Sequence, residues 1–184
     1  MGMDCGHLIR RAVHMSAPLL LIYYALPDPL FGMPRAAFAM SILALAMVVE
    51  LVRLIICPEV VGMRCYERTQ VSAAAWAAFG AVTSMVLFPI GIVAPAICGM
   101  AFVDPLIGEL RCRGSRLHPL LPAAVYLVMT TALLSLSYGI DSRIVLAASM
   151  ATAVAIGVES LSSHLVDDDF LMVVAPLLVL HLVI

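Results

Sequence analysis

Residues 34–56 read PRAAFAMSILALAMVVELVRLII, an apolar stretch whose only charged side chains are Arg35, Glu50 and Arg53. Crossing the hydrocarbon core of a bilayer takes about 20 helical residues, and this stretch has that length. It begins with a proline, which suits the first turn of a helix, and Pro58 follows shortly after its end. The stretch therefore predicts a membrane-spanning helix.

Six other apolar stretches are separated by similar turn signals. They run from about Leu8 to Leu26, from Val71 to Phe88, from the turn at Pro89 and Gly91 to Gly108, from Pro119 to Tyr138, from Arg143 to Leu161, and from Phe170 to Ile184. The 184-residue chain is 64% hydrophobic and 12% charged, with a mean hydropathy of +1.10, which excludes an ordinary soluble domain. We predict an all-α polytopic membrane protein with about seven transmembrane helices in one bundle, forming a single domain over residues 1–184.

The charged residues narrow the possible functions. Ten basic and 12 acidic residues give a net charge of -2, which argues against a nucleic-acid partner. All the basic residues are arginines, so chemistry that depends on a P-loop lysine, a Schiff-base lysine or the strand lysine of the protein-kinase fold is excluded. The five cysteines have no CxxC spacing and suggest neither a zinc site nor a disulfide framework.

The distribution of arginines predicts the orientation in the membrane, because loops rich in Lys and Arg stay in the cytoplasm. With a cytoplasmic N-terminus, the inner segments carry Arg10, Arg11, Arg64, Arg68, Arg111, Arg113 and Arg116, whereas the outer loops carry Arg35 and Arg143. This count favours an N-terminus in the cytoplasm.

Three carboxylates, Glu50, Asp104 and Glu159, lie near the C-terminal ends of the second, fourth and sixth stretches. In the predicted orientation these ends all reach the cytoplasmic face. An ionisable group inside a membrane helix costs about 2.5 to 3.5 kcal/mol, so such groups are usually functional. The alternative is that each is interfacial and held by an arginine. Glu50 and Arg53 are three residues apart, which also allows a purely structural ion pair.

Pro105 follows Asp104 directly and is expected to interrupt the fourth helix, since it cannot donate a hydrogen bond to the carbonyl of Ala101. Broken helices at membrane depth are tolerated where they line a polar cavity. The alternative is a proline kink with no site.

Asp167, Asp168 and Asp169 follow Glu159 after a short polar loop. Carboxylate oxygens are preferred ligands of magnesium, so these four residues are candidate Mg²⁺ ligands, although a solvated acidic turn would look the same in sequence. Arginines on the same face can clamp phosphate groups. Together these residues suit phosphoryl or nucleotidyl transfer to a lipid alcohol or a lipid phosphate.

Several motifs resemble those of the CTP-dependent prenol kinases, the dolichol, polyprenol and phytol kinase family, which is related to membrane phosphatidate cytidylyltransferases. Residues 10–14, RRAVH, resemble the family's N-terminal Arg-Lys-x-x-His, and Glu50 with Arg53 resembles its Glu-x-x-Arg. Residues 67–73, ERTQVSA, are similar to its charged segment before Ser-Gly. Residues 103–108, VDPLIG, keep the aspartate of its Gly-Asp motif, and Glu159 with residues 167–170, DDDF, is similar to its glutamate followed by Asp-Asn-Leu.

The resemblance implies transfer of the terminal phosphate of CTP to a membrane isoprenoid alcohol, with Mg²⁺ as cofactor. Asp104 and Glu50 would be catalytic, and Glu159 with Asp167, Asp168 and Asp169 would hold the metal. The implied nucleotide-binding residues are Arg10, Arg11, His14, Arg53, Glu67, Arg68, Ser72 and Arg111. The implied partners are the lipid alcohol, the nucleotide and the bilayer, and a homo-oligomer is left open.

Two alternatives stay open. A cytidylyltransferase acting on a lipid phosphate would use the same metal and arginine groups. A small transporter would use Glu50, Asp104 and Glu159 to relay protons or bind cations.

Overall fold

The computed structural model describes residues 5–56, 65–159 and 166–184, and for residues 5–10, 65 and 66 it describes the backbone alone. Within these ranges the chain forms seven α-helices and no strand. They are α1 (Cys5–Ser16), α2 (Arg35–Ile56), α3 (Ala73–Leu87), α4 (Ile90–Cys112), α5 (Leu120–Tyr138), α6 (Ser142–Glu159) and α7 (Asp168–Val183).

Four helices, α2, α4, α5 and α6, are long and apolar enough to cross a membrane, and α3 is a shorter apolar helix. The described part of the chain is all-helical, as the sequence predicts, and its composition is that of a membrane-embedded protein. Prolines at 34 and 119 mark the starts of α2 and α5 within one residue. The predicted end of the sixth stretch at Leu161 lies outside the described residues.

The first apolar stretch is divided in two. Helix α1 ends at Ser16, and residues Ala17–Ala25 continue as a 3-10 helix with Pro18 in its first turn. Pro18 has no N–H to donate to the carbonyl of His14, so a regular α-helix cannot continue unchanged through this position. This segment packs against α4 together with α1.

Arg35 ties this N-terminal segment to the start of α2. Its Nη1 donates to the carbonyl oxygens of Tyr24 and Leu26, both at 3.1 Å, and its guanidinium lies 4.8 Å from the ring centroid of Tyr23. The Tyr24 hydroxyl donates in turn to the carbonyl of Phe88 at 2.7 Å. These bonds hold together the end of the bundle where α2 begins and α3 ends.

Helix α4 lies at the centre and contacts α1, α3, α5 and α7. Its close approach to α5 depends on glycines, because the rings of Tyr126 and Tyr138 occupy the space where Gly99 and Gly91 lack a Cβ. Small residues also allow α6 and α7 to pack closely, as expected for helices in lipid.

The expected interruption at Pro105 is wrong, because α4 continues without a break to Cys112. Pro105 removes one backbone hydrogen bond, but the helix is buried on both sides of it, at Val103 and Ile107. Packing of this central helix compensates for the missing bond.

Candidate functional site

Polar side chains gather at the end of the bundle where α2, α4 and α6 end and α3 and α7 begin. The ring of Phe170, in the first turn of α7, lies 5.3 Å from that of Trp76, one turn into α3. This contact shows that the starts of α3 and α7 lie side by side. These polar residues form two main groups, and further ion pairs of arginines lie beside them.

The first group joins α2 to the start of α3. Arg53 donates from Nε and Nη2 to the two carboxylate oxygens of Glu50, both at 2.8 Å, and the backbone N–H of Ser72 donates to Oε1 of Glu50 at 2.6 Å. Arg53 also donates to the carbonyl oxygens of Glu67 and Gln70, at 2.9 and 2.8 Å. The predicted ion pair between Glu50 and Arg53 is therefore present.

This arrangement braces the loop before α3. The carboxylate of Glu67, which is buried, accepts from the backbone N–H of Ala73 at 3.3 Å, and the Ser72 hydroxyl caps α3 by accepting from Ala75 at 3.2 Å. Arg68 ends the short 3-10 turn that precedes them. The roles predicted for these residues, catalytic for Glu50 and nucleotide-binding for the others, stay predictions.

The second group centres on Asp104 and contains residues from four helices. Nε2 of His14, in α1, lies 2.8 Å from Oδ1 of Asp169 and 3.4 Å from Oδ2 of Asp104. His14 is 8% exposed and Asp169 is 1% exposed, so the imidazole is fixed between two carboxylates in a buried environment.

Glu159, the last residue of α6, also lies close to Asp104. Ligand atoms of Asp104, Glu159 and Asp168 are all within 4.8 Å of one another, as are those of His14, Asp104 and Asp169. The structure thus brings together Asp104 and Glu159, which the sequence placed at the same ends of alternate helices.

The three consecutive aspartates begin α7. Asp167 caps the helix by accepting from the backbone N–H of Asp169 at 3.1 Å. Burial, together with the neighbouring Asp168 and Asp169, raises the pKa of Asp167 to about 7. Asp169 is buried, whereas Asp167 and Asp168 are half-buried, so the turn is solvated only in part, and its role as a metal site stays a prediction.

Three arginines at this end, Arg11, Arg111 and Arg113, are engaged in ion pairs. Nη2 of Arg111 donates to both carboxylate oxygens of Glu159, at 2.8 and 2.6 Å. Arg11 pairs with Glu109, and Arg113 lies 2.6 Å from the same carboxylate. Arg10 lies in α1, but its side chain is outside the described residues. A phosphate group would have to compete with these carboxylates for the guanidinium groups.

Glu109 was not among the residues predicted for the site. One feature of the sequence does indicate an ion pair at Glu109: Arg113 follows it by four residues, and residues four apart share a helix face. The pairing with Arg11, by contrast, joins two distant parts of the chain and has no signature in sequence.

The donor set of Asp104, Glu159 and Asp168 fits a magnesium ion in its chemistry, since all its donors are carboxylate oxygens. Oxygen ligands lie about 2.1 Å from Mg²⁺, so opposite ligands are about 4.2 Å apart. The ligand atoms of these three residues lie within 4.8 Å of one another, which is comparable to that separation.

No protein-family model matches the sequence, and searches of curated proteins and of solved structures find no significant match. A functional assignment therefore depends on this geometry and on the sequence motifs.

Proposed function

We propose that the chain is a magnesium-dependent membrane kinase that transfers the terminal phosphate of CTP to an isoprenoid alcohol. In this proposal the apolar segments cross the bilayer seven times, and the N-terminus and the site face the cytoplasm. The uneven distribution of arginines supports this orientation. The motif resemblance supports CTP as donor and a prenol as acceptor.

The observation that carries the proposal is the meeting of Asp104, Glu159 and Asp168 within 4.8 Å, at one end of an apolar bundle and beside Arg111. The three carboxylates come from α4, α6 and α7, so only the folded bundle assembles them. Carboxylates in a membrane protein are costly, and a magnesium ion would neutralise a group of them.

Each residue has a proposed task. Glu159 and Asp168 would hold Mg²⁺ together with Asp104, and the metal would neutralise charge on the transferred phosphate. Asp104 would also accept a hydrogen bond from the alcohol and orient it for attack, and His14 would keep this carboxylate in position. Arg11 and Arg111 are partly exposed and would contact the phosphates. Positioning and charge neutralisation suffice for such a transfer.

The test is a product assay with purified protein, CTP labelled in its terminal phosphate, Mg²⁺ and a panel of prenols. We expect a labelled prenyl phosphate and CDP. Asp104→Asn keeps the side-chain volume but removes the negative charge, so we expect a loss of about 10²- to 10⁴-fold in rate. The matched control is Asp141→Asn, an exposed aspartate before α6 at the opposite end of the bundle, which we expect to be nearly silent.

Other outcomes would overturn the proposal. Release of pyrophosphate with a lipid phosphate as acceptor would identify a cytidylyltransferase. If no nucleotide is consumed and the reconstituted protein carries protons or cations across vesicles, the chain is a transporter. Activity of Asp104→Asn within about threefold of the parent, with unchanged stability, would refute the proposed site.

A further inference from the structure

Arg111 already places a positive charge on the acidic cluster. Both oxygens of its partner Glu159 accept from the guanidinium, and Glu159 is only 8% exposed. A carboxylate oxygen of Glu159 also belongs to the set that lies within 4.8 Å of Asp104 and Asp168. One of the three carboxylates of this set is therefore already paired with a guanidinium group.

Two basic groups that the structure describes at the cluster, His14 and Arg111, differ in their freedom to move. His14 is 8% exposed and is held between Asp104 and Asp169. The side chain of Arg111 is 54% exposed and lies on the last turn of α4. Arg111 can therefore leave the cluster by rotating toward the exposed side, whereas His14 cannot.

We propose that Arg111 is a displaceable counter-ion of the cluster. A divalent cation bound by Asp104, Glu159 and Asp168 would be repelled by a guanidinium on the same carboxylate, so its binding breaks the pair between Arg111 and Glu159. The released guanidinium is then available to a phosphate oxygen on the exposed side. This inference rests on the proposed function, because it takes the cluster as the cation site.

The exchange has a thermodynamic consequence. In the absence of phosphate, Arg111 competes with the divalent cation for Glu159 and weakens its binding. A phosphate group that binds Arg111 removes this competition, so cation and phosphate each strengthen the binding of the other. The arrangement favours the metal and the nucleotide entering together.

The test measures Mn²⁺ binding by the purified, full-length protein in detergent without nucleotide, using the paramagnetic resonance signal of free Mn²⁺. Arg111→Met removes the competing charge. Arg113→Met is the matched control, because Arg113 lies two residues away and contacts Glu109 instead of Glu159. We expect Arg111→Met to bind Mn²⁺ about fivefold more tightly than Arg113→Met, the size expected for one partly exposed ion pair.

Arg111→Gln provides a second variant that removes the charge but keeps a hydrogen-bond donor, and it should shift Mn²⁺ affinity in the same direction. Size-exclusion elution identifies any variant that is misfolded. Equal affinities in the Arg111 variants and Arg113→Met would refute the displacement and leave the cation site intact. If neither the parent nor the variants bind Mn²⁺ saturably, the displacement and the metal site of the proposed function both fail.

Discussion

Replacing Gly99 by alanine tests the packing between α4 and α5. A Cβ at this position would lie 2.3 Å from Cε2 of Tyr126, 2.8 Å from Cζ and 3.0 Å from the hydroxyl oxygen. The Tyr126 side chain is fully buried, so its ring cannot turn into the surroundings. Gly99→Ala must therefore separate the two helices or force Tyr126 from its preferred rotamer.

The closest of these distances is more than about 1 Å shorter than an ordinary carbon–carbon contact of about 3.5 to 4.0 Å. Overpacking of this kind costs about 1 to 3 kcal/mol, and the higher helix propensity of alanine offsets up to about 1 kcal/mol. We expect Gly99→Ala to lower the free energy of unfolding by about 2 kcal/mol. Gly108→Ala, in the same helix, adds a Cβ with no atom within 4 Å and should be neutral or slightly stabilising.

The assay is a thermal melt in detergent of the parent, both alanine variants and a double variant. Tyr126→Val removes the ring, so adding Gly99→Ala to Tyr126→Val should cost little further stability. Two results would contradict the packing argument: a Gly99→Ala melt equal to that of Gly108→Ala, or an undiminished cost of Gly99→Ala in the Tyr126→Val background.

The polar end of the bundle gives three more expectations. Arg53→Met should lower the free energy of unfolding by about 3 kcal/mol, because it leaves the Glu50 carboxylate buried without its charged partner, although the backbone N–H of Ser72 still donates to it. An unchanged melt with loss of nucleotide binding would favour the predicted nucleotide contact instead. Asp168→Asn should raise the half-saturating Mg²⁺ concentration about tenfold without changing the melt, and an unchanged value would exclude Asp168 as a ligand. Single cysteines replacing Arg113 and Asp141, in a cysteine-free background, should react from the cytoplasmic and the outer side respectively. Labelling in the reverse pattern would invert the proposed orientation.

Much of the helical architecture is predictable because apolar stretches and prolines act locally. The sequence predicts α2 and α5 within one residue at their starts, since Pro34 and Pro119 suit the first turn of a helix. It fails at Pro18, where a continuous apolar stretch changes from an α-helix to a 3-10 helix, and at Pro105, where α4 continues. Whether a proline interrupts a helix depends on tertiary packing, and the local sequence around the proline gives no information about that packing.

The candidate site is predictable only in its outline. Asp104 and Glu159 could be placed together because both lie near the ends of alternate stretches. The ion pair between Arg111 and Glu159, and the position of His14 between Asp104 and Asp169, depend on contacts between distant helices. For the same reason the burial of Asp169 could not be foreseen, although it means that replacing this residue tests stability as well as metal binding.

Helix polarity explains why this end of the bundle holds charges of both signs. Glu109 and Glu159 lie in the last turns of α4 and α6, where the helix dipole disfavours a negative charge, and each has an arginine partner, Arg113 and Arg111 respectively. The aspartates at 167–169 lie at the start of α7, where the dipole and the free N–H groups favour a negative charge. Glu109 and Glu159 therefore need arginine partners to offset the helix dipole, whereas the aspartates at 167–169 need them less. The result is an acidic cluster with partly exposed guanidinium groups at its edge, and the proposed binding of a cation together with a phosphate depends on this pairing of charges.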